Sequence, residues 1–142
     1  MIIMKFKRTE NGYYLKLDRG EEVIGSLTEF AEQEDITAAV FSGIGAFKDL
    51  EVGYYDLENR EYPRQEFKGS YEVLSCKGNF ALKDGKPVPH CHIVFSDIHY
   101  QAHGGHLFRA TVEVTGEFYF ATDGENLERR YDESVGLSLW DL

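Results

Sequence analysis

Pro89-His90-Cys91-His92-Ile93-Val94-Phe95-Ser96-Asp97-Ile98-His99-Tyr100-Gln101-Ala102-His103-Gly104-Gly105-His106 holds all five histidines of a 142-residue chain. His90 to Ser96 reads as a strand, Leu107 to Ala121 as a longer one, and the polar stretch between them as the connection of an antiparallel hairpin. Alternate residues of a strand share a face, so His90 and His92 point one way and Cys91 the other. A turn centred on Ile98-His99-Tyr100 sets Ser96 opposite Ala102, Val94 opposite Gly104 and His92 opposite His106. Directly opposed side chains lie on one face with Cβ atoms roughly 5 Å apart. In that register His90, His92 and His106 converge. Three imidazoles with one position left open suit a divalent ion, zinc first. Two histidines in one strand are often ordinary half-buried polar residues, so the third, in register, carries the expectation. A slip of one residue would set His106 opposite Cys91 and destroy the cluster. His99 is expected in solvent at the turn, and His103, of odd parity, on the face away from the cluster.

In the second strand the even residues Phe108, Ala110, Val112, Val114, Phe118 and Phe120 share the parity of His106. The histidine face is therefore expected to continue into the apolar face, where partial desolvation favours neutral, metal-ready rings. The same parity sets Glu117 and Arg109 on the opposite face, away from the cluster.

Working outward, Met4–Arg8 and Tyr13–Leu17 form a hairpin signal around Asn11-Gly12. In Glu21–Glu34, the residues Val23, Ile24, Leu27, Phe30 and Ala31 make one helical stripe, and Glu21 and Glu22 suit its positive end. Ile36–Phe41 reads as a buried strand and Ser42–Phe47 as a tight connection whose small residues permit close packing. The spacing of those glycines is not that of a phosphate loop. Leu50–Leu57 and Ser70–Leu82 read as strands, Asn59–Pro63 and Asp84-Gly85 as turns, and Pro87 and Pro89 as a stiff entry to the hairpin. After Asp123-Gly124 the chain is polar until a final strand over Val135–Trp140, and Arg129-Arg130 reads as a solvated face. The whole is α+β: mostly antiparallel sheet with one main helix packed on it, a single domain over 1–142.

Composition narrows the function. Apolar residues are 42% and aromatics 14%, which fits a packed core and not a disordered chain. The 15 basic residues are outnumbered by 25 acidic ones, a net charge of −10 that opposes nucleic acid and anionic membrane at long range. Cys76 and Cys91 lie in strand-like runs and read as buried small groups, with no CxxC and no disulfide framework. Met1-Ile2-Ile3-Met4-Lys5 is too short for a signal peptide, and no apolar run approaches a membrane span, so a soluble cytoplasmic protein is expected.

Five blocks occur in the order seen in the plant and prokaryote conserved (PPC) domain, which the chain resembles over nearly its whole length. They are Ser42-Gly43-Ile44-Gly45-Ala46, Tyr71-Glu72-Val73-Leu74-Ser75 with Gly78-Asn79, Pro89-His90-Cys91-His92, Gly104-Gly105-His106-Leu107 and Val114-Thr115-Gly116-Glu117. The resemblance implies an α+β domain assembling as a homotrimer. In plant members the domain follows an AT-hook, the source of a DNA-binding label. This chain has no Arg-Gly-Arg-Pro, so DNA binding by the isolated chain is not expected. Plant members generally lack the histidines. In the histidine-bearing prokaryotic branch the positions of His90, His92 and His106 look like a zinc-type site. Ser70 stands where the plant pattern has arginine, which argues against a plant-like partner contact. The fold is also similar, at a distance, to acetolactate decarboxylase, a zinc enzyme. Three readings follow: a homotrimer binding a metal and a small ligand, a metal-dependent enzyme on a small oxygenated acid, and a DNA-associated regulator.

Overall fold

A computed structural model describes residues 4–142; the reading that rested on Met1-Ile2-Ile3 lies outside the described residues. In chain order the elements are β1 (Lys5–Arg8), β2 (Gly12–Leu17), α1 (Val23–Gln33), β3 (Ala38–Gly53), β4 (Arg64–Lys83), β5 (Lys86–Ser96), β6 (Ala102–Ala121), β7 (Glu128–Asp132) and β8 (Leu137–Asp141). The α+β class with one helix holds among the described residues, and that helix, at 11 residues, is not long enough to cross a membrane.

The long strands pair in a closed circuit. β3 pairs with β4 and β6, and β5 pairs with β4 and β6, all antiparallel. One face of this circuit is the core, filled by Phe41, Phe47, Phe80, Phe95, Phe118 and Phe120 with both cysteines. Helix α1 lies on β5 and β6 and buries Val23, Leu27, Phe30 and Ala31 there, the stripe expected from its period. It starts where Glu22 turns its carboxylate back to accept hydrogen bonds from the amides of Ile24 and Gly25. The hairpin β1–β2 extends the sheet along the far half of β6.

Four expectations change. Ser42–Phe47 is not a connection: β3 runs straight through it for 16 residues. Its small residues do permit close packing, because a Cβ on Gly45 would collide with the carbonyl oxygen of Thr115 in β6. The strand expected over Leu50–Leu57 leaves the sheet at Gly53, and residues 54–63 form a loop closed by the Asp56–Glu61 bridge. Lys86–Pro89 belongs to β5 itself, because the Asp84-Gly85 turn, with φ of 53° and 78°, lets pairing begin at once. The polar stretch after Gly124 contains β7, which pairs with the final strand β8 across a turn at Gly136.

The fifth difference concerns faces. Register shifts flank Arg109, where Glu51 pairs with Arg109 but Val52 pairs with Leu107. The extra residue, Phe108, is a β-bulge, and it reverses the alternation of β6. Leu107 is buried below the bulge, and Ala110 and Val112 above it. His106 therefore faces outward, opposite the core and not continuous with it. Val114, expected inside, is 67% exposed. The same reversal puts His106 on the outer face that Glu117 already occupies, but Glu117 lies far along β6, opposite Lys16 and Ile44.

Candidate metal centre

The hairpin forms in the expected register: His92 pairs with His106, Val94 with Gly104, and Ser96 with Ala102. Asp97 secures the turn by accepting from the amides of His99 and Gln101. Close approach of the two strands depends on Gly104, whose added Cβ would sit 2.7 Å from the carbonyl oxygen of Ile93. β5 alternates cleanly. Cys91, Ile93 and Phe95 are buried in the core, while His90 and His92 stand on the outside. The thiols of Cys76 and Cys91 remain free, 3.4 Å apart inside the core.

On the outer face one ligating nitrogen from each of His90, His92 and His106 falls within 4.8 Å of the others. The Nε2 atoms of His90 and His92 are 3.1 Å apart. Two donors each ~2.1 Å from one tetrahedral ion lie about 3.4 Å from each other, so this pair already has the spacing of a shared ion. His106 is half-buried between the rings of Tyr62 and Phe108, at centroid distances of 5.0 and 4.6 Å. Burial is the chief reason its pKa is pushed down to about 4, with His90, His92 and Arg64 adding to it. His90 is lowered in the same direction, by burial first and then by His92 and Arg129. Both rings are held neutral, the form that binds metal. The Nδ1 of His106 is buried and has no hydrogen-bond partner among the described residues. A buried polar atom without a partner is unusual, and here it leaves a nitrogen free for a group from outside the chain. The donor set and this orphaned atom fit a divalent ion.

His103 and His99 stay apart from the cluster. His103 lies on the other face, bonded to Asp97 at 2.9 Å and packed on Phe67 and Phe95, and His99 is exposed. Arg109 is committed to Glu51 and Glu66.

Residues 4–122 match the profile of the Plants and Prokaryotes Conserved (PCC) domain. The chain belongs to this family. Among solved structures, a metal-containing protein of Archaeoglobus fulgidus is 38% identical, with all of both chains covered and a TM-score of 0.86. A plant- and prokaryote-conserved (PPC) protein of Pyrococcus horikoshii is 34% identical over 100% of this chain and 98% of that one, TM-score 0.86. A protein of Bacteroides thetaiotaomicron, described as a candidate DNA-binding protein, is 25% identical over 97% and 96%, TM-score 0.94. No curated protein matches the chain significantly.

Three residues beside the histidine cluster escaped the sequence reading. Tyr62, from the loop between β3 and β4, walls His106. Asn79 stands opposite His90 in β4. Arg129, expected in solvent, turns inward from β7 and donates to Asn79 Oδ1 at 2.7 Å and to the Ser138 carbonyl at 3.1 Å. Only its neighbour Arg130 keeps the expected exposed position, paired with Asp141. Tyr62, His90, His106, Arg129 and Ser138 line one hollow of 310 Å³, and His90 and His92 also line a second, of 610 Å³, with Asn79 and Tyr119.

Proposed function

We propose that this PCC-domain protein is a homotrimer that binds one divalent ion, zinc first, through His90, His92 and His106, with room beside it for a small ligand. The observation that carries the reading is the convergence of three imidazoles on a rigid hairpin, one of them with a buried nitrogen left unpaired. The metal-containing relative from Archaeoglobus fulgidus supports it. When bound, such an ion supplies a Lewis-acid position open to an oxygen donor. The chain's own part is to hold His90 and His106 neutral and to keep His106 oriented between Tyr62 and Phe108. Support for the trimer comes from the outer face, where Val40 and Ile44 of β3, Leu74 of β4 and Val114 of β6 are each more than 50% exposed, β4 and β6 being the two strands that flank β3. Identical copies arranged about a threefold axis would cover such a surface and leave none open.

The test is a zinc titration against a chromophoric chelator, with light scattering on the same samples. The wild type takes one ion per chain and elutes at three times 16.3 kDa. Absence of zinc uptake by the wild type contradicts the metal reading, and a single monomeric species contradicts the trimer.

A second reading, association with DNA, is favoured by the description of the Bacteroides relative. The net charge of −10 opposes it. The isolated chain is expected to give no sequence-dependent shift of duplex DNA near physiological salt.

A further inference from the structure

Among the described residues, Arg129 has no carboxylate within ion-pair distance, although acidic residues outnumber basic ones in the sequence. Its two partners are neutral oxygens, Asn79 Oδ1 and the Ser138 carbonyl. The adjacent Arg130 has Asp141 at 3.0 Å, and Arg64, near His106, has Glu51 at 2.8 Å. A half-buried guanidinium without a counter-charge carries a desolvation cost that a bound anion would offset. Its position is also fixed. Asn79 holds it beside His90, Ser138 holds it from β8, and the hydroxyl of Tyr55 donates to the Val135 carbonyl and so ties the β7–β8 turn to the loop that carries Tyr62. Arg129 lines the 310 Å³ hollow together with His90 and His106, and the other cation on its wall, Lys83, is exposed. That volume is at the small end for ligand pockets and suits a molecule of a few heavy atoms.

We propose that Arg129 is the anion clamp of the histidine site, holding the carboxylate of a small organic acid whose neighbouring hydroxyl or carbonyl oxygen lies toward His90 and His106. A planar guanidinium pairs with a carboxylate through two parallel hydrogen bonds, which fixes orientation as well as charge. The β7–β8 hairpin that delivers Arg129 lies beyond residue 122, where the match to the family profile ends. The histidines are thus within the shared domain and the clamp is outside the matched span. The proposal rests on the metal reading for the acid's second oxygen, and on Arg129 alone for its carboxylate.

The experiment is calorimetric titration of zinc-loaded protein with glycolate, its neutral analogue glycolamide and inorganic phosphate, with metal content measured on every sample. The wild type is expected to bind glycolate and to bind glycolamide much more weakly. Arg129→Gln keeps its zinc and loses about 10- to 100-fold in glycolate affinity, with Arg129→Lys between the two. Arg130→Gln, on the exposed side of the same strand, behaves as wild type and shows that an intact hairpin is not the variable. Equal glycolate binding by Arg129→Gln, or no binding by zinc-loaded wild type at millimolar glycolate, overturns the clamp while leaving the metal site standing. Arg129-dependent binding of phosphate without glycolate overturns the carboxylate assignment. Absence of zinc uptake sinks the metal reading; the metal-free protein is then titrated, and glycolate binding abolished by Arg129→Gln keeps the clamp, whereas no binding removes both.

Discussion

The two faces of β5 differ in what they ask of their side chains. Inward, Cys91, Ile93 and Phe95 are almost wholly buried, and Phe95 packs edge-on against Phe67 and Tyr71. Outward, one residue out of step, His90 and His92 keep contact with the surface. The inner face is fixed by packing and tolerates little change of volume. The outer face is held in place by that packing and is free to carry groups that contribute little to stability. A site built this way is as rigid as the core behind it without depending on its own contacts for folding.

The largest effect is expected inside. Phe95→Ala should cost about 3–5 kcal/mol in urea unfolding and lower metal affinity with it, because the hairpin loses its support. If the variant unfolds like wild type, the inner face is not what holds the site. Gly104→Ala acts between the faces. Its new Cβ meets the Ile93 carbonyl, so β5 and β6 must part at the site, with about 1–3 kcal/mol of destabilisation. Unchanged stability together with unchanged zinc affinity would show that the strands do not need their close approach. On the outside, His92→Ala should shift the stability of metal-free protein by no more than about 0.5 kcal/mol. A larger loss would make His92 a structural residue.

The last contrast is one of pH. Burial lowers the His106 pKa in the folded protein to about 4, from an ordinary 6.5, so the unfolded chain takes up this proton first as pH falls. Stability from this group is therefore complete above pH 6.5 and is lost progressively down to about pH 4. Metal-free His106→Gln should lack that component of the pH dependence. Superimposable profiles for wild type and variant would show that the ring is not desolvated.

Much of this arrangement was legible in the sequence because strand alternation is a local rule. His90, His92 and the turn at Ile98–Tyr100 fixed the register, and the spacing to His106 followed from it. Two things were not local. The bulge at Phe108 depends on how β6 meets β3, and nothing in Leu107-Phe108-Arg109 announces it; parity counted across it placed the histidines on the core side and Glu117 away from them. Arg129 and Arg130 look alike in sequence, both flanked by acids. Alternation in β7 turns one toward Asn79 and the other toward Asp141, and that choice is visible only once β7 is seen to pair with β8 and to touch β4.

The central claim is that His90, His92 and His106 together hold one divalent ion. The most direct measurement is elemental analysis by mass spectrometry of protein purified without an affinity tag, wild type beside His92→Ala, each exposed to zinc and then dialysed. The account predicts about one ion per chain in the wild type and none in the variant. Full metal content in His92→Ala, or none in the wild type, would contradict it.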